Sequence, residues 1–186
     1  PTVRIADGIY DVDIEASIVD WTGCNPNGSH VGTLRLSSGF VRVQGEQISG
    51  EFVVDMKTMV CTDLKEKPAK TLIAHLASAD FFLADRFKTA TLEMREARMR
   101  SEQSPTTPSY EVDGAITIRG KTRDIAFPTT VTPLPDGGFT ALAVLDVDRT
   151  YFGSTYGSAR FFEYLGMHLV YDIFHLQVRI VAKRRA

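Results

Sequence analysis

The side chains able to do covalent or metal chemistry are few and scattered. Four histidines are present, His30, His75, His168 and His175, and none stands in an HExxH or another ligand spacing. The two cysteines, Cys24 and Cys61, lack CxxC spacing, so a zinc site is not expected. They are read either as free thiols or as one bridge. Asp55, Asp63 and Asp80 lie around a helix-like stretch, but their spacing fits no EF-hand loop and suits capping and turn roles. No GxSxG elbow, P-loop or strand-borne GxGxxG occurs. A Cys61–His75 nucleophile–base pair is the enzymatic alternative, yet nothing in the sequence brings the two together. The expectation is a protein with no catalytic residues and no metal.

The totals point the same way. The chain has 186 residues, 44% hydrophobic and 24% charged, with a formal net charge of −2. This is ordinary for one globular domain, here taken as 1–186, and long enough for a sizeable core. A weakly acidic balance lacks the footprint of a phosphate-backbone binder, so no nucleic-acid partner is expected. Arg95, Arg98 and Arg100, and the tail Lys183, Arg184 and Arg185, read as a solvated strand face and a frayed end. No apolar run approaches the roughly 20 residues that span a bilayer. The chain opens Pro1-Thr2-Val3-Arg4 without a methionine, as a processed or trimmed product would. It is periplasmic or secreted if a signal peptide has been removed, and cytoplasmic otherwise.

Period-two alternation dominates the elements that must position any site. Ser17, Val19 and Trp21 share one face, and residues 23–29 read as a turn. His30, Gly32, Leu34 and Leu36 alternate with Val31, Thr33 and Arg35, until Ser38-Gly39 interrupts. Strand pattern resumes at residues 40–43 and again from Ile48 to Met56. Asp63 with Glu66 has the form of a capping box, Pro68 suits a first turn, and Leu72 and Leu76 mark an amphipathic helix to about Ala79. Asp80-Phe81-Phe82-Leu83 follows as an apolar plug. Strands return at residues 91–99, 112–119, 122–131, 139–147 and 174–180. Roughly eight strands with short turns and no alternating helices exclude a parallel sheet. Gly32, Gly50, Gly114, Ala141 and Ala143 on the inward faces favour a barrel with interior room over a sandwich.

The motifs resemble the YceI-like family of lipocalin-like barrels associated with polyisoprenoid binding, over about residues 10–182. The resemblance rests on Tyr10-Asp11-Val12-Asp13, Trp21-Thr22-Gly23, His30-Val31-Gly32 and Val53-Val54-Asp55-Met56. It continues in the stretch from His75 through Asp80 to Phe82, and in the hairpin from Val112 through Arg119-Gly120-Lys121-Thr122. Asp148-Arg149-Thr150-Tyr151-Phe152-Gly153, with Tyr156-Gly157-Ser158, completes it. The resemblance implies an all-β, antiparallel eight-stranded barrel with a short helical insert, holding a tunnel for an isoprenoid or fatty chain. Cys24 stands where the family pattern leads one to expect a lysine-like residue, and Cys61 also departs from it. The stretch from Phe161-Phe162 to Leu165-Gly166 resembles only a subset of the family and suggests a lid over the ligand.

The expected function is non-catalytic carriage of a polyisoprenoid, an isoprenoid quinone or a fatty-acid derivative, with no other cofactor. The expected lining is Trp21, Leu34, Phe52, Val54, Ile116, Phe127, Phe139 and Leu145, joined by Phe81 and Phe82 of the plug, Phe152 of the late turn and Phe162 of the insert. At about 0.8 kcal/mol per methylene, a chain of roughly 15 carbons offers on the order of 12 kcal/mol gross. Several kcal/mol are lost to immobilising it, which still leaves micromolar affinity within reach. Arg149, Thr150, Tyr156 and His30 are the candidates for a polar head group. The plainer roles are turn-fixing by Arg149 with Asp146 or Asp148, and a hydrogen-bonded core histidine at His30. The alternative function is a filled barrel acting as an interaction or stress-response module without ligand. Outward Val31 and Val53 are compatible with a homodimer.

Overall fold

The structure is a computed structural model describing residues 4–186; the opening Pro1-Thr2-Val3, read above for processing, lies outside them. One antiparallel sheet contains β1 (Gly8–Val12), β2 (Ile18–Asn25), β3 (Gly28–Gln44), β4 (Gln47–Cys61), β5 (Thr89–Met99), β6 (Tyr110–Ile118), β7 (Lys121–Pro133), β8 (Phe139–Asp148) and β9 (Ile173–Arg184). Consecutive strands pair from β2–β3 through β8–β9, and β2 pairs with β9, which closes the sheet. β1 lies between the Gln44 end of β3 and the Arg184 end of β9, while β2 lies between the same two strands at their other ends. The pair therefore forms a single stave broken at residues 13–17, and the barrel has eight staves. The break is tied to β9 by Asp13 N donating to Val181 O at 2.8 Å, and by Val181 N donating to the buried Ser17 hydroxyl at 2.9 Å.

The other elements sit at one end, called the top. α1 (Glu66–Leu76) connects β4 to β5, and residues 149–172 connect β8 to β9. The β6–β7 hairpin also turns at the top, with Arg119 (φ 52°) and Gly120 (φ 70°) both in the left-handed region. That is the geometry a two-residue turn needs to match strand twist. Arg119 is held there because its guanidinium donates to Gly153 O (2.7 Å) and Ala79 O (2.9 Å), which ties the hairpin to both top connections.

Several expectations change. β1 is a strand, and β2 and β3 run so far that the turn at 23–29 shrinks to Pro26-Asn27. Ser38-Gly39 does not interrupt β3. An extra β3 residue between Leu36 and Ser38 makes a bulge, and burial shifts from Leu34 and Leu36 to Val41 and Val43. The helix stops at Leu76 rather than near Ala79, and Asp63 does not cap it, since Lys65 holds the cap position. The inward glycines do not make room either. A Cβ on Gly32 would stand 1.8 Å from Val60 O and 2.5 Å from the Trp21 ring; on Gly114 it would stand 2.1 Å from Glu93 O. Those glycines permit close backbone approach at bulged pairings. Among the expected small residues, Ala141 and Ala143 are the ones that border open space.

Candidate ligand-binding site

The interior of the barrel is not filled. A cavity of about 240 Å³ runs within it, lined almost wholly by hydrocarbon. At the bottom, Ile5, Val41, Ile48, Tyr110 and Phe139 border it, and the fully buried Tyr10 ring backs Phe139 at 5.2 Å. Tyr10 Oη donates to Ala6 O at 2.6 Å, so the floor carries a satisfied hydroxyl. At the top, Gly23, Cys24, Val170, Tyr171 and Ile173 form the rim, where Tyr171 and Ile173 are exposed. Tyr171 N donates to Cys24 O at 3.0 Å, which fixes the two sides of the rim together.

An aromatic cluster roofs the rest of the top. Phe81 sits 5.3 Å from Tyr156 and 5.0 Å from His75, and Phe82 meets Phe174 edge-on at 5.7 Å. Beneath Phe81 lies Arg149, its guanidinium carbon 5.2 Å from the ring centre and the residue 3% exposed. Among the described residues it is the one charged residue on the cavity wall. Arg149 donates to Tyr171 O (3.2 Å), Ser154 O (2.8 Å), Tyr156 O (2.6 Å) and Val170 O (3.1 Å). Burial pushes its pKa down while Asp172 and Asp148 pull it up, and a guanidinium remains a cation throughout. Its role is to stitch residues 149–172 across the top of the barrel.

Most of the expected lining borders the cavity: Trp21, Leu34, Phe52, Val54, Phe81, Phe82, Ile116, Phe127, Phe139, Leu145 and Arg149. Five expected residues do not, Thr150 among them. His30 is half-exposed, not a core histidine, and Nδ1 lies 3.0 Å from Asp63 Oδ2 on the outer wall. Phe152 is buried away from the cavity, and Tyr156 forms the second layer behind Phe81, its hydroxyl 3.3 Å from His168 Nδ1. Phe162 is exposed beside a separate surface hollow with Tyr164, Leu165 and Leu169, so it is no lid over the cavity. The expected ion pairing of Arg149 is also corrected. Asp146 pairs with His175, while Asp148 accepts from Thr150 N (2.9 Å) and Thr150 Oγ1 (2.6 Å) and meets Arg160 at 3.0 Å. Thr150 is thus engaged in its own turn.

Sequence reasoning passed over Met56, Met59, Met94, Thr129 and the rim at Tyr171 and Ile173. Met59 follows a register shift in β4, which hides its inward phase. Thr129 was detectable, since it alternates inward between Phe127 and Val131.

The two thiols are not placed as a nucleophile–base pair. Cys24 and Cys61 are free thiols. The Cys61 thiol donates to Asp63 Oδ1 (3.0 Å) rather than to a histidine, and burial together with that carboxylate raises its pKa. Among the described residues no group of three or more His, Cys, Asp or Glu could hold a metal ion, and no helix is long and apolar enough to cross a membrane.

With that geometry in place, comparison with known proteins is decisive for the family. The YceI-like domain matches residues 10–182. The chain belongs to the YceI-like family. No curated protein matches its sequence. Among solved structures, this YceI-like chain is similar to BcnA of Burkholderia cenocepacia, with TM-score 0.74 and 24% identity over 93% of this chain and 100% of that one. It is similar also to a polyisoprenoid binding domain from Saccharophagus degradans implicated in plant cell wall breakdown, with TM-score 0.64 and 10% identity, covering 95% and 98%. The Campylobacter jejuni YceI protein matches with TM-score 0.55 and 13% identity, covering 100% and 90%. At these identities the likeness is one of fold: a closed eight-stave barrel.

Proposed function

We propose that the barrel carries one long-chain amphiphile, such as a polyisoprenoid, an isoprenoid quinone or a fatty-acid derivative, without transforming it. The carrying observation is the cavity of about 240 Å³, walled by hydrocarbon from the Tyr110–Phe139 floor to the Tyr171–Ile173 rim. A void of this lining gains little from water and much from methylenes, each about 0.8 kcal/mol when buried. The Saccharophagus relative, described as a polyisoprenoid binding domain, supports a ligand of this class. Arg149 lies at the end near the rim, and with four of its five N–H groups given to backbone carbonyls it keeps at most one for a head-group oxygen.

Native mass spectrometry of the purified protein, followed by organic extraction, tests the reading. A one-to-one adduct and a rise in melting temperature with an isoprenoid quinone, a polyprenol or a long-chain amide are expected. A protein that stays ligand-free and whose melting point ignores all three supports a module that acts without ligand instead.

A further inference from the structure

We infer that the connection from β8 to β9 docks the barrel, mouth first, on an anionic lipid bilayer. Such docking extends the carrier reading but is tested without cargo, so either can fail alone. Of the twelve large hydrophobic residues exposed among the described residues, six fall within residues 149–172. Tyr164 is 99% exposed and Met167 92%, so neither contributes to the packing of the barrel. Tyr164 also holds φ 56°, in the left-handed region that strains the backbone of a bulky residue. Asn or Gly would suit that turn better in water. An aromatic ring with a polar edge, set at a protruding tip, is the kind of side chain that settles among lipid headgroups.

The patch runs into the mouth of the cavity. Phe162, Tyr164, Leu165 and Leu169 share the surface hollow, and Val170 and Tyr171, next in the chain, belong to the cavity rim. A bilayer seated there covers the opening, so an apolar chain passes between the two without crossing water. Charge selects the partner. Within residues 149–172, Asp172 meets Arg160 at 3.2 Å, which leaves Glu163 as the one carboxylate outside an ion pair. Cations stand around it. Lys121 Nζ lies 3.3 Å from where a Cβ on Gly153 would stand, at the foot of the connection. Lys65 and Lys67, at the start of α1, crown the same end. All three lysines are exposed and, among the described residues, pair with no carboxylate, whereas Asp63, Glu66, Asp80 and Asp85 are each engaged by a histidine or a lysine. Unpaired cations beside an apolar patch suit an anionic headgroup layer. Two copies pressed together through the same patch would instead set these cations against one another.

The test is flotation of the full chain with vesicles of equal parts phosphatidylcholine and phosphatidylglycerol, and with phosphatidylcholine alone. The native chain is expected to float with the mixed vesicles, to release as salt is raised, and to bind phosphatidylcholine alone about tenfold more weakly. Combining Tyr164→Asn with Met167→Ser is expected to weaken vesicle binding about tenfold or more, while Val144→Ser, on the outer wall of β8, changes nothing. Asn accepts the left-handed turn, so the double variant is expected to keep the native melting temperature. Binding that is absent, equal for the two vesicles or unmoved by the double variant overturns the docking. So does a dimer, formed without vesicles, that the double variant converts to monomer. Uptake of an isoprenoid quinone by a chain that ignores vesicles overturns the docking alone. Vesicle binding by a chain that never takes up quinone overturns the carrier reading alone.

Discussion

Asp63 shows how one carboxylate can look like a cap in sequence and act as a clasp in the fold. It accepts from Cys61 Sγ (3.0 Å) and Val31 N (3.1 Å) and meets His30 Nδ1 (3.0 Å), joining β3 to the end of β4. The Cys61 thiol and the His30 ring hold its carboxyl far below the usual carboxylate range. A lowered folded-state value means the clasp is fully present above the unfolded pKa near ~3.9 and fades as pH falls through the folded one. Asp63→Asn is expected to lower the melting temperature at neutral pH, with the gap to the native chain narrowing below about pH 4. A gap that stays constant from pH 7 to pH 2 contradicts the clasp. Arg149 gives the sharper residue-scale prediction. Arg149→Met strips donors from four backbone carbonyls and is expected to cost about 3 kcal/mol or more by urea unfolding. Arg149→Lys is expected to rescue little, because one ammonium cannot span acceptors spread over residues 154–171.

At the scale of elements, bulges decide what alternation can reveal. The inward faces of β6 to β9 keep strict phase, so Ile116, Phe127, Phe139 and Leu145 could be placed on the cavity wall from pattern alone. β3 and β4 change phase where their pairing slips, between Thr33 and Arg35 and between Leu36 and Ser38, and there the pattern misled at Ser38-Gly39 and hid Met59. β1 escaped notice because five residues flanked by Asp7 and Asp13 carry too few alternations to count. Arg149 and Tyr156 shared a family motif, but only the folded connection shows one on the wall and the other behind it. The glycines test the bulge account. Gly32→Ala would drive a Cβ into Val60 O and the Trp21 ring, and a loss of at least about 1–3 kcal/mol is expected from denaturant midpoints. Gly23→Ala meets open space and serves as the near-neutral control. Equal stability of the two variants would refute close approach as the reason for Gly32.

At the scale of the molecule, the barrel leaves unfilled a volume that side chains could have occupied, which costs packing contacts. Filling it should therefore separate stability from binding. Ala143→Leu places three more carbons into the cavity at a buried position in β8, and a stability gain of about 0.5–2 kcal/mol is expected from cavity filling. The same change removes space from the ligand. The most direct test of the container claim is native mass spectrometry of the native chain and Ala143→Leu after incubation with an isoprenoid quinone. The account predicts a single quinone adduct on the native chain, and a depleted adduct on the variant, which melts no lower than the native protein. Equal adducts on both, or none on a folded native chain, would contradict it.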